Sequence, residues 1–495
     1  MNSTKFDTAY RQLNQNQKLA VDTLEGPVMV IAGPGTGKTQ IITLRIANIL
    51  SKTQTDPQSI LALTFTDSGV KAMKERLVEF IGPTGYKVEI FTFHSFCQKI
   101  IDENPENFSI SSDFLVLSDL ERVNIFKDII DNIQLDTLKP KNSPYFYIQT
   151  LVSKLSDLKK EGITVEKFDE IIKKEESSLD INDYLNKRTG KPTQKYYSKL
   201  KSIKKWKELS IIYENYQEEL IKRKRYDYDD MITYVIDKFA NDDELLAKYQ
   251  EQYQYILADE YQDTNNGQNE VIRLLTSFEY IDKPNIFVVG DDEQSIYRFQ
   301  GASLENFTFF EDIYPELKKI TLTTNYRSTQ NILDASRSMI ENNENRLEDL
   351  HRLLDAYQEY ENKKIKVVKT SHEFIEKYYL AQKIKELLSS GVNPNEIAVL
   401  YRTNAEGRDL SQVLGKFEIK SQSVKGENVL DDIEIKKIIK ILQVIFETQD
   451  ELKNRVNDDF FWPGEKSDKD VNLFTIMHYL LFDINPTDIL KLIKF

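Results

Sequence analysis

A chain of 495 residues that is 40% hydrophobic and 29% charged is typical of a globular protein with roughly two to four domains. No apolar run is long enough to cross a membrane and the polar N-terminus is unlike a secretory signal, so no membrane association is expected. The single cysteine, Cys97, excludes an internal disulfide and fits a cytoplasmic location, and the four scattered histidines indicate no zinc site. The net charge of −14 disfavours a generally basic nucleic-acid binder, but phosphate binding requires only a locally basic surface.

Residues 1–110 are predicted to form the first part of an α/β domain. Short apolar runs alternate here with amphipathic stretches, which predicts a parallel sheet covered on both faces. Strands are predicted at 27–33, 60–66 and 88–93, and helices at 37–50 and 68–81.

Residues 111–225 are predicted to be a helical insertion in that domain. Strand-like runs are replaced here by long helical patterns that are rich in Lys and Glu. Between Lys195 and Arg225, ten Lys or Arg residues accompany only four Glu residues, and aromatic residues are interleaved. This local excess of positive charge fits either a nucleic-acid-binding surface or a solvated helical face.

The strand pattern returns in residues 226–330, which are predicted to complete the first α/β domain. Residues 331–430 are expected to begin a second α/β unit, and residues 431–495 are predicted to be helical again. The strand-like segments are YQYILADE (253–260), NIFVVGD (285–291) and KKITLTTNY (318–326) in the first domain, with KIKVVKT (364–370) and EIAVLYRT (396–403) in the second.

The segment AGPGTGKT lies between a predicted strand and a predicted helix, which is the context of a phosphate-binding P-loop. Glycines allow backbone amides to surround phosphate oxygens, and the helix dipole favours negative charge there. Lys38 is expected to contact the β- and γ-phosphates of ATP and Thr39 to bind Mg²⁺. The first position departs from the strict motif, which has glycine. The expected phosphate-binding residues are Ala32, Gly33, Pro34, Gly35, Thr36, Gly37, Lys38 and Thr39.

A pair of carboxylates after a buried strand is expected to complete the phosphate site. Asp259 and Glu260 follow the apolar run YILA and would lie at the carboxyl end of that strand, where α/β sheets bind ligands. Asp259 is predicted to hold Mg²⁺, and Glu260 to orient or deprotonate the attacking water.

These segments, taken in order, resemble the motifs of the UvrD/Rep/PcrA-type superfamily 1 DNA helicases. The resemblance covers nearly the whole chain and argues against another class of P-loop NTPase, such as a signalling switch. It implies an α/β fold with a RecA-like motor domain that carries a helical insertion, followed by an incomplete second RecA-like domain and part of its own insertion. The matching segments are LNQNQKLAV (13–21), AGPGTGKT (32–39), ALTFTDSGVKAMKERL (62–77), FTFHSFC (91–97), DEYQDTN (259–265), VVGDDEQSIYRFQGA (288–302), LTTNYRST (322–329) and IAVLYRTNAEGRDL (397–410).

The resemblance implies roles for four further residues around ATP. Gln17 would read the adenine base, and Tyr326 would stack on it. Gln294 would sense the γ-phosphate and couple it to DNA. Arg327 would contact the γ-phosphate across a cleft, a task that suits a planar and permanently charged guanidinium.

The resemblance also implies contacts to single-stranded DNA that do not read sequence, made by stacking and by phosphate binding. Two positions depart from the family pattern. Phe299–Gln300 stands where tryptophan-arginine is usual, and Asp67–Ser68 stands where asparagine-lysine is usual, so one positive DNA contact is missing. The matching DNA-binding residues are Phe65, Thr92, His94, Tyr297, Arg298 and Phe299.

The implied function is that of an ATP- and Mg²⁺-dependent DNA helicase or translocase. By resemblance it would move 3′ to 5′ on single-stranded DNA and act at DNA junctions in replication, repair or recombination. Two later family motifs, one with a catalytic arginine, are not found, so we expect the chain to end within the second insertion and to hydrolyse ATP poorly by itself. The alternative is an ATP- and DNA-binding scaffold whose protein partner supplies the missing motifs.

Overall fold

The computed structural model describes two compact units, which we call unit 1 (Met1–Ile365) and unit 2 (Lys366–Phe495). Among the residues it describes, no helix combines the length and the apolar character that crossing a bilayer requires. The described residues are 3–108, 114–185, 191–278, 283–294, 305–342, 353–357, 361, 363–422, 433–454, 468–482, 484–485 and 487–489.

A six-stranded sheet lies at the centre of unit 1, and every strand in it runs parallel to its neighbours. Four of its strands are buried along their whole length, as their continuous apolar sequences predict: Val28–Ala32, Ile60–Thr64, Tyr255–Ala258 and Ile286–Gly290. The predicted parallel sheet is therefore confirmed. Its spatial order is β3 (Glu89–Thr92), β2 (Ile60–Thr64), β6 (Tyr255–Ala258), β7 (Ile286–Gly290), β1 (Val28–Ala32) and β8 (Lys318–Leu322).

Helices cover both faces of this sheet, because successive strand residues point to opposite sides and both sides are apolar. On one face Val28 and Val30 pack with α2 (Gln15–Asp22), α3 (Lys38–Lys52) and α4 (Asp67–Ile81). On the other face Met29 and Ile31 pack with α5 (Phe93–Glu103), α10 (Tyr228–Asn241), α11 (Asp243–Gln252), α12 (Asn266–Thr276) and α13 (Glu305–Ile313). Unit 1 also contains α1 (Ser3–Arg11), α14 (Gln330–Ile340) and two short strands that pair with each other, β9 (Thr324–Asn325) and β10 (Asp355–Ala356).

Four helices between the sheet strands β3 and β6 build a separate core of their own. The chain enters this region through β4 (Leu115–Val116) and leaves it through β5 (Arg225–Tyr226), and these two short strands pair with each other. Part of its basic stretch is neutralised, since Lys199 and Lys207 form ion pairs with acidic residues of a neighbouring helix. The four helices are α6 (Asp119–Asn132), α7 (Ile148–Lys160), α8 (Val165–Ser177) and α9 (Gln194–Lys222).

Unit 2 is described by four helices, and the first two, Glu373–Ser389 and Asn404–Lys416, share a small apolar core. The strands predicted at 364–370 and 396–403 are wrong, because neither segment joins a ladder within the described part of the chain. Val367 and Leu400 are 83% and 95% exposed, so the apolar residues there are not covered as in a sheet. An extended segment becomes a strand only when a neighbour satisfies its backbone groups. The helices are α15 (Glu373–Ser389), α16 (Asn404–Lys416), α17 (Ile433–Asn454) and α18 (Asp468–Met477).

A buried lysine joins the four-helix region to the sheet-bearing part of unit 1. The Nζ of Lys159, on α7, lies 2.8 Å from Asp227 and 2.5 Å from Asp230, at the start of α10. It also lies 4.9 Å from the ring centroid of Tyr216. Burial by itself would lower the pKa of Lys159, but the two carboxylates raise it well above the ordinary value. The ammonium group is therefore charged, and its removal would leave two carboxylates buried without a counter-ion.

We expect Lys159→Met to lower the free energy of unfolding by about 3–5 kcal/mol, because it leaves buried charges uncompensated. Urea unfolding followed by circular dichroism measures this loss. Lys154→Met, on the same helix, is the matched control, since Lys154 is 60% exposed and pairs with Asp157 at the surface. Its effect should stay below about 1 kcal/mol. Equal losses in the two variants would contradict a structural role for the buried cluster.

Candidate nucleotide-binding site

The loop between β1 and α3 has the backbone geometry that an anion site requires. Gly35 and Gly37 have φ values of 69° and 91°, in the left-handed region that most side chains avoid. α3 begins at Lys38, so the unpaired amides of its first turn border the loop. Thr36 braces the loop, since its hydroxyl donates to the carbonyl of Gly33 at 2.8 Å.

The two acidic residues predicted to complete the phosphate site lie against this loop. Lys38 Nζ is 2.8 Å from Glu260 Oε2, and the Lys38 side chain is only 10% exposed. The side chain of Thr39 lies beside the Asp259 carboxylate and acts to lower its pKa. The structure thus brings together Lys38, Thr39, Asp259 and Glu260, although they come from distant parts of the sequence.

The carboxylates of Asp259, Glu260 and Asp263 lie close together beside the loop, and this concentration of negative charge favours binding of a cation. Burial and the neighbouring Glu260 raise the pKa of Asp259 to about 7, and the same causes raise that of Asp263 to about 6. Asp263 Oδ1 is buried and has no hydrogen-bond partner among the described residues. Oxygen donors that carry excess negative charge suit Mg²⁺, and Thr39 and Asp259 are the residues whose oxygens could hold such an ion.

The described residues around Asp259 supply only part of a metal coordination shell. Within the described ranges, no set of three His, Cys, Asp or Glu side chains is arranged to hold a metal ion. Mg²⁺ commonly binds through one or two protein oxygens, with phosphate oxygens and water completing its octahedron. The oxygens of Thr39 and Asp259 are compatible with a metal whose other ligands are phosphate oxygens and water.

A chain of hydrogen bonds connects Gln294 to Glu260. Gln294 Nε2 donates to Asp291 Oδ2 at 2.6 Å. The Asp291 backbone amide donates to Gln262 Oε1 at 2.9 Å, and Gln262 Nε2 donates to Glu260 Oε2 at 2.9 Å. The roles of Asp291 and Gln262 were not predicted, although both lie inside motifs of the family, because their contact depends on the adjacency of β6 and β7.

The segment after β8 lies against the other side of the loop. Asn325 Nδ2 donates to the Pro34 carbonyl, and the Tyr326 amide donates to the Gly35 carbonyl at 2.9 Å. Asn325 Oδ1 accepts the backbone amide of Arg327 at 2.8 Å and so shapes the turn that carries it. The side chain of Arg327 is exposed, and its Cβ lies beside Gly35.

The residues expected at the adenine base are linked to one another through Asn14. Gln17 is 4% exposed, and its Nε2 donates to the Thr36 carbonyl at 2.8 Å. Gln17 Oε1 accepts the Asn14 amide at 3.0 Å, while Asn14 Nδ2 donates to the hydroxyl of Tyr326 at 3.1 Å. The ring of Tyr357 lies 4.8 Å from that of Tyr326. The spacing Asn-x-x-Gln could have indicated this helix cap.

Three predicted DNA-binding residues lie at or just after the ends of two neighbouring strands. Thr64 and Thr92 are partners in the β2–β3 pair, so Phe65 and His94 lie at the same edge of the sheet. Thr92 is half-buried and caps α5, where its hydroxyl accepts the Ser95 amide at 3.2 Å. The other three predicted residues, Tyr297, Arg298 and Phe299, lie outside the described residues.

His94 has an aromatic neighbour that its sequence motif does not indicate, Tyr228. Its ring meets that of Tyr228 edge to face, with the centroids 6.1 Å apart. Burial lowers the pKa of His94, and nearby Lys160 contributes, while Asp229 acts in the opposite direction. A neutral imidazole at pH 7 can stack or share hydrogen bonds but adds no charge.

We expect Asp259→Asn to stabilise the chain without nucleotide or Mg²⁺ at pH 8 by about 1–3 kcal/mol, because the buried carboxylate is ionised above its pKa of about 7 and faces Glu260. Thermal unfolding measures the gain. Glu79→Gln, which alters a surface pair with Lys5, should change stability by less than about 1 kcal/mol. A loss of stability in Asp259→Asn would show that the hydrogen bonds of the Asp259 carboxylate outweigh its repulsion by Glu260.

Known proteins that are similar to this chain carry the name ATP-dependent DNA helicase PcrA. The protein of Staphylococcus epidermidis is 32% identical over 447 residues, which is 89% of this chain and 55% of the relative. The protein of Bacillus subtilis is 34% identical over 443 residues, which is 89% of this chain and 54% of the relative. The chain thus spans about half the length of the curated relatives that it matches.

Two family models match the chain one after the other. Residues 13–315 match the UvrD/REP helicase N-terminal domain, and residues 320–458 match the UvrD-like helicase C-terminal domain. The first match alone covers more than half of the 495 residues and contains the loop, the carboxylates and Gln294. The chain belongs to the UvrD/Rep helicase family.

Proposed function

We propose that this chain binds ATP and single-stranded DNA and uses ATP hydrolysis to move 3′ to 5′ along the strand, unwinding duplex DNA at junctions in replication, repair or recombination. The observation that carries the proposal is the meeting of Lys38 and Thr39 with Asp259 and Glu260 at one edge of the sheet. The direction of movement rests on the family resemblance.

Phosphate binding would rearrange the ion pair between Lys38 and Glu260. A triphosphate competes for the Lys38 ammonium, which neutralises charge on the β- and γ-phosphates. Glu260 is then released from Lys38 and can orient or deprotonate the attacking water. Thr39 and Asp259 would hold Mg²⁺, which when bound neutralises phosphate charge.

The hydrogen-bonded chain through Asp291 and Gln262 supports a coupling role for Gln294. A movement of Gln294 towards the γ-phosphate would alter the partner of Asp291 and, through Gln262, the position of Glu260. Residues 295–300 follow Gln294 directly in the sequence and include the three expected DNA contacts that begin at Tyr297. The same residue thus adjoins the site of hydrolysis and the expected path of DNA.

Arg327 and Tyr326 are proposed to complete the nucleotide contacts. The Asn325 hydrogen bonds hold their backbone against the loop, while the Arg327 side chain stays exposed and can reach an added phosphate. A guanidinium suits this role because it stays charged and can bind two oxygens at once.

DNA is proposed to bind along the strand ends at Phe65 and His94 by stacking and phosphate contact. Such contacts tolerate any base, which a translocating protein requires. The edge-to-face packing of Tyr228 supports the His94 ring from one side.

A second candidate function is an ATP- and DNA-binding module that acts with a protein partner. It is favoured by the two strand-like segments of residues 364–403, which join no ladder within the described residues. A second motor domain needs a sheet to present its catalytic groups, and here a partner would supply it.

The decisive experiment compares the chain with Lys38→Ala in ATP binding and in hydrolysis, with and without single-stranded DNA. We expect the variant to bind MgATP about tenfold or more weakly, because it lacks the charge at the phosphates. Lys52→Ala is the matched control, since Lys52 is the last residue of the same helix and lies at the surface.

Hydrolysis that rises severalfold with DNA and disappears in Lys38→Ala would support the motor function. ATP binding without DNA-stimulated hydrolysis would support the second candidate. Equal ATP binding by the chain and Lys38→Ala would overturn both.

We expect Phe65→Ala to weaken binding of oligo-dT and of mixed-sequence oligonucleotides alike by about tenfold or more, because one stacking surface is lost. Fluorescence anisotropy measures both affinities. Tyr86→Ala is the control, since Tyr86 is 69% exposed and precedes β3, at the opposite edge of the sheet. An unchanged affinity in Phe65→Ala would remove this residue from the proposed DNA path.

A further inference from the structure

Arg45 is buried in the helix that follows the phosphate loop, and none of the proposed steps uses its charge. Its Nη1 donates to the carbonyl of Ala20 at 2.8 Å and to that of Thr23, and its Nη2 donates to the carbonyl of Leu24 at 3.1 Å. These carbonyls lie at the C-terminal end of α2 and just beyond it, where a helix leaves acceptors unpaired. Arg45 therefore caps α2 from outside that helix.

Asn48, one turn further along α3, binds the same helix end. Its Nδ2 lies 3.0 Å from the Val21 carbonyl and 3.0 Å from Asp22 Oδ1. Both side chains are buried, at 1% exposure for Arg45 and 2% for Asn48. Water therefore does not replace them easily as donors.

The opposite end of α2 carries Gln17, which binds the phosphate loop through the Thr36 carbonyl. α2 has only eight residues, and a helix of this length is not stable alone, so its position depends on its tertiary contacts. These contacts include Gln17 and the donors on α3, together with Asn16, which donates to the Thr321 carbonyl, and the buried side chains of Ala20 and Val21. The helix is thus held at both ends by the loop and helix that would bind phosphate.

The chemistry of Arg45 indicates more than packing. Burial lowers the pKa of this guanidinium to about 9, and its Nε has no hydrogen-bond partner among the described residues. Burial of a charge is unfavourable, and an apolar side chain of similar volume could fill the space over the Phe287 ring, 4.5 Å away. What an apolar residue cannot provide is a planar group that reaches three carbonyls at once.

We propose that Arg45 is a positioning residue for adenine recognition, which it serves by fixing α2 and thereby the Gln17 amide relative to the phosphate loop. This inference rests on the proposed function, in which Gln17 reads adenine. Asn48 supports the same contact. Discrimination between ATP and GTP depends on the position of the Gln17 amide, whereas binding of the triphosphate depends on the phosphate loop.

The test compares Arg45→Lys, Arg45→Met and Asn48→Ala with Gln17→Ala, using MgATP and MgGTP as ligands. We expect the Arg45 variants to lower ATP affinity by about tenfold, the effect of losing one or two well-placed hydrogen bonds, with GTP affinity changed less than about twofold. Arg45→Lys keeps the charge and tests whether the planar fork is required. Melting temperatures identify variants that remain folded.

Ile42→Val is the matched control, since it trims a buried residue of the same helix and leaves the donors to α2 intact. A loss of ATP preference in the Arg45 variants that Ile42→Val does not share would support the inference. Equal loss of ATP and GTP affinity in the Arg45 variants would overturn it and leave a purely structural role. If Gln17→Ala abolishes the preference for ATP over GTP and the Arg45 variants keep it, only the inference about Arg45 fails. If Gln17→Ala keeps the preference, adenine reading by Gln17 fails as well.

Discussion

The parallel order of four neighbouring strands is the constraint on which the site depends. β6, β7, β1 and β8 lie side by side and run in one direction, so the segments after them emerge at one edge. That edge collects the carboxylates after β6, Gln294 after β7, the phosphate loop after β1 and Tyr326 after β8. If two of these strands exchanged places in the sheet, Lys38 and Glu260 would be separated, even with every sequence motif unchanged.

Polar contacts between these segments then set the positions of the side chains. Asn325 fixes the turn of Arg327 against the loop, Gln262 joins β6 to β7, and Asn14 joins Gln17 to Tyr326. Each of these residues uses an amide side chain as donor and acceptor at once, which lets one residue bridge two segments. Charged groups would bridge less easily here, because the site already carries three carboxylates.

The sequence predicted well what depends on local pattern. Buried strands, the loop and Asp259 with Glu260 follow from apolar runs and adjacent motifs, and the family resemblance covers them. It could not show contacts that arise only when distant strands become neighbours, such as Asp291 with Gln262. Thr92 has two competing roles, since it is expected to contact DNA and its side chain also caps α5. The strands predicted around Val367 and Leu400 failed because alternation of apolar residues does not supply a hydrogen-bonding neighbour.

The attachment of the four-helix region has a mechanical consequence. The chain leaves this region through β5, and the next helix begins with the carboxylates that bind Lys159. A load on the four helices is therefore transmitted into the first turn of α10, through both a covalent link and an ion pair. Tyr228 lies in that turn and touches His94. Tension on these four helices would therefore reach the turn that lies beside His94, a residue expected to contact DNA.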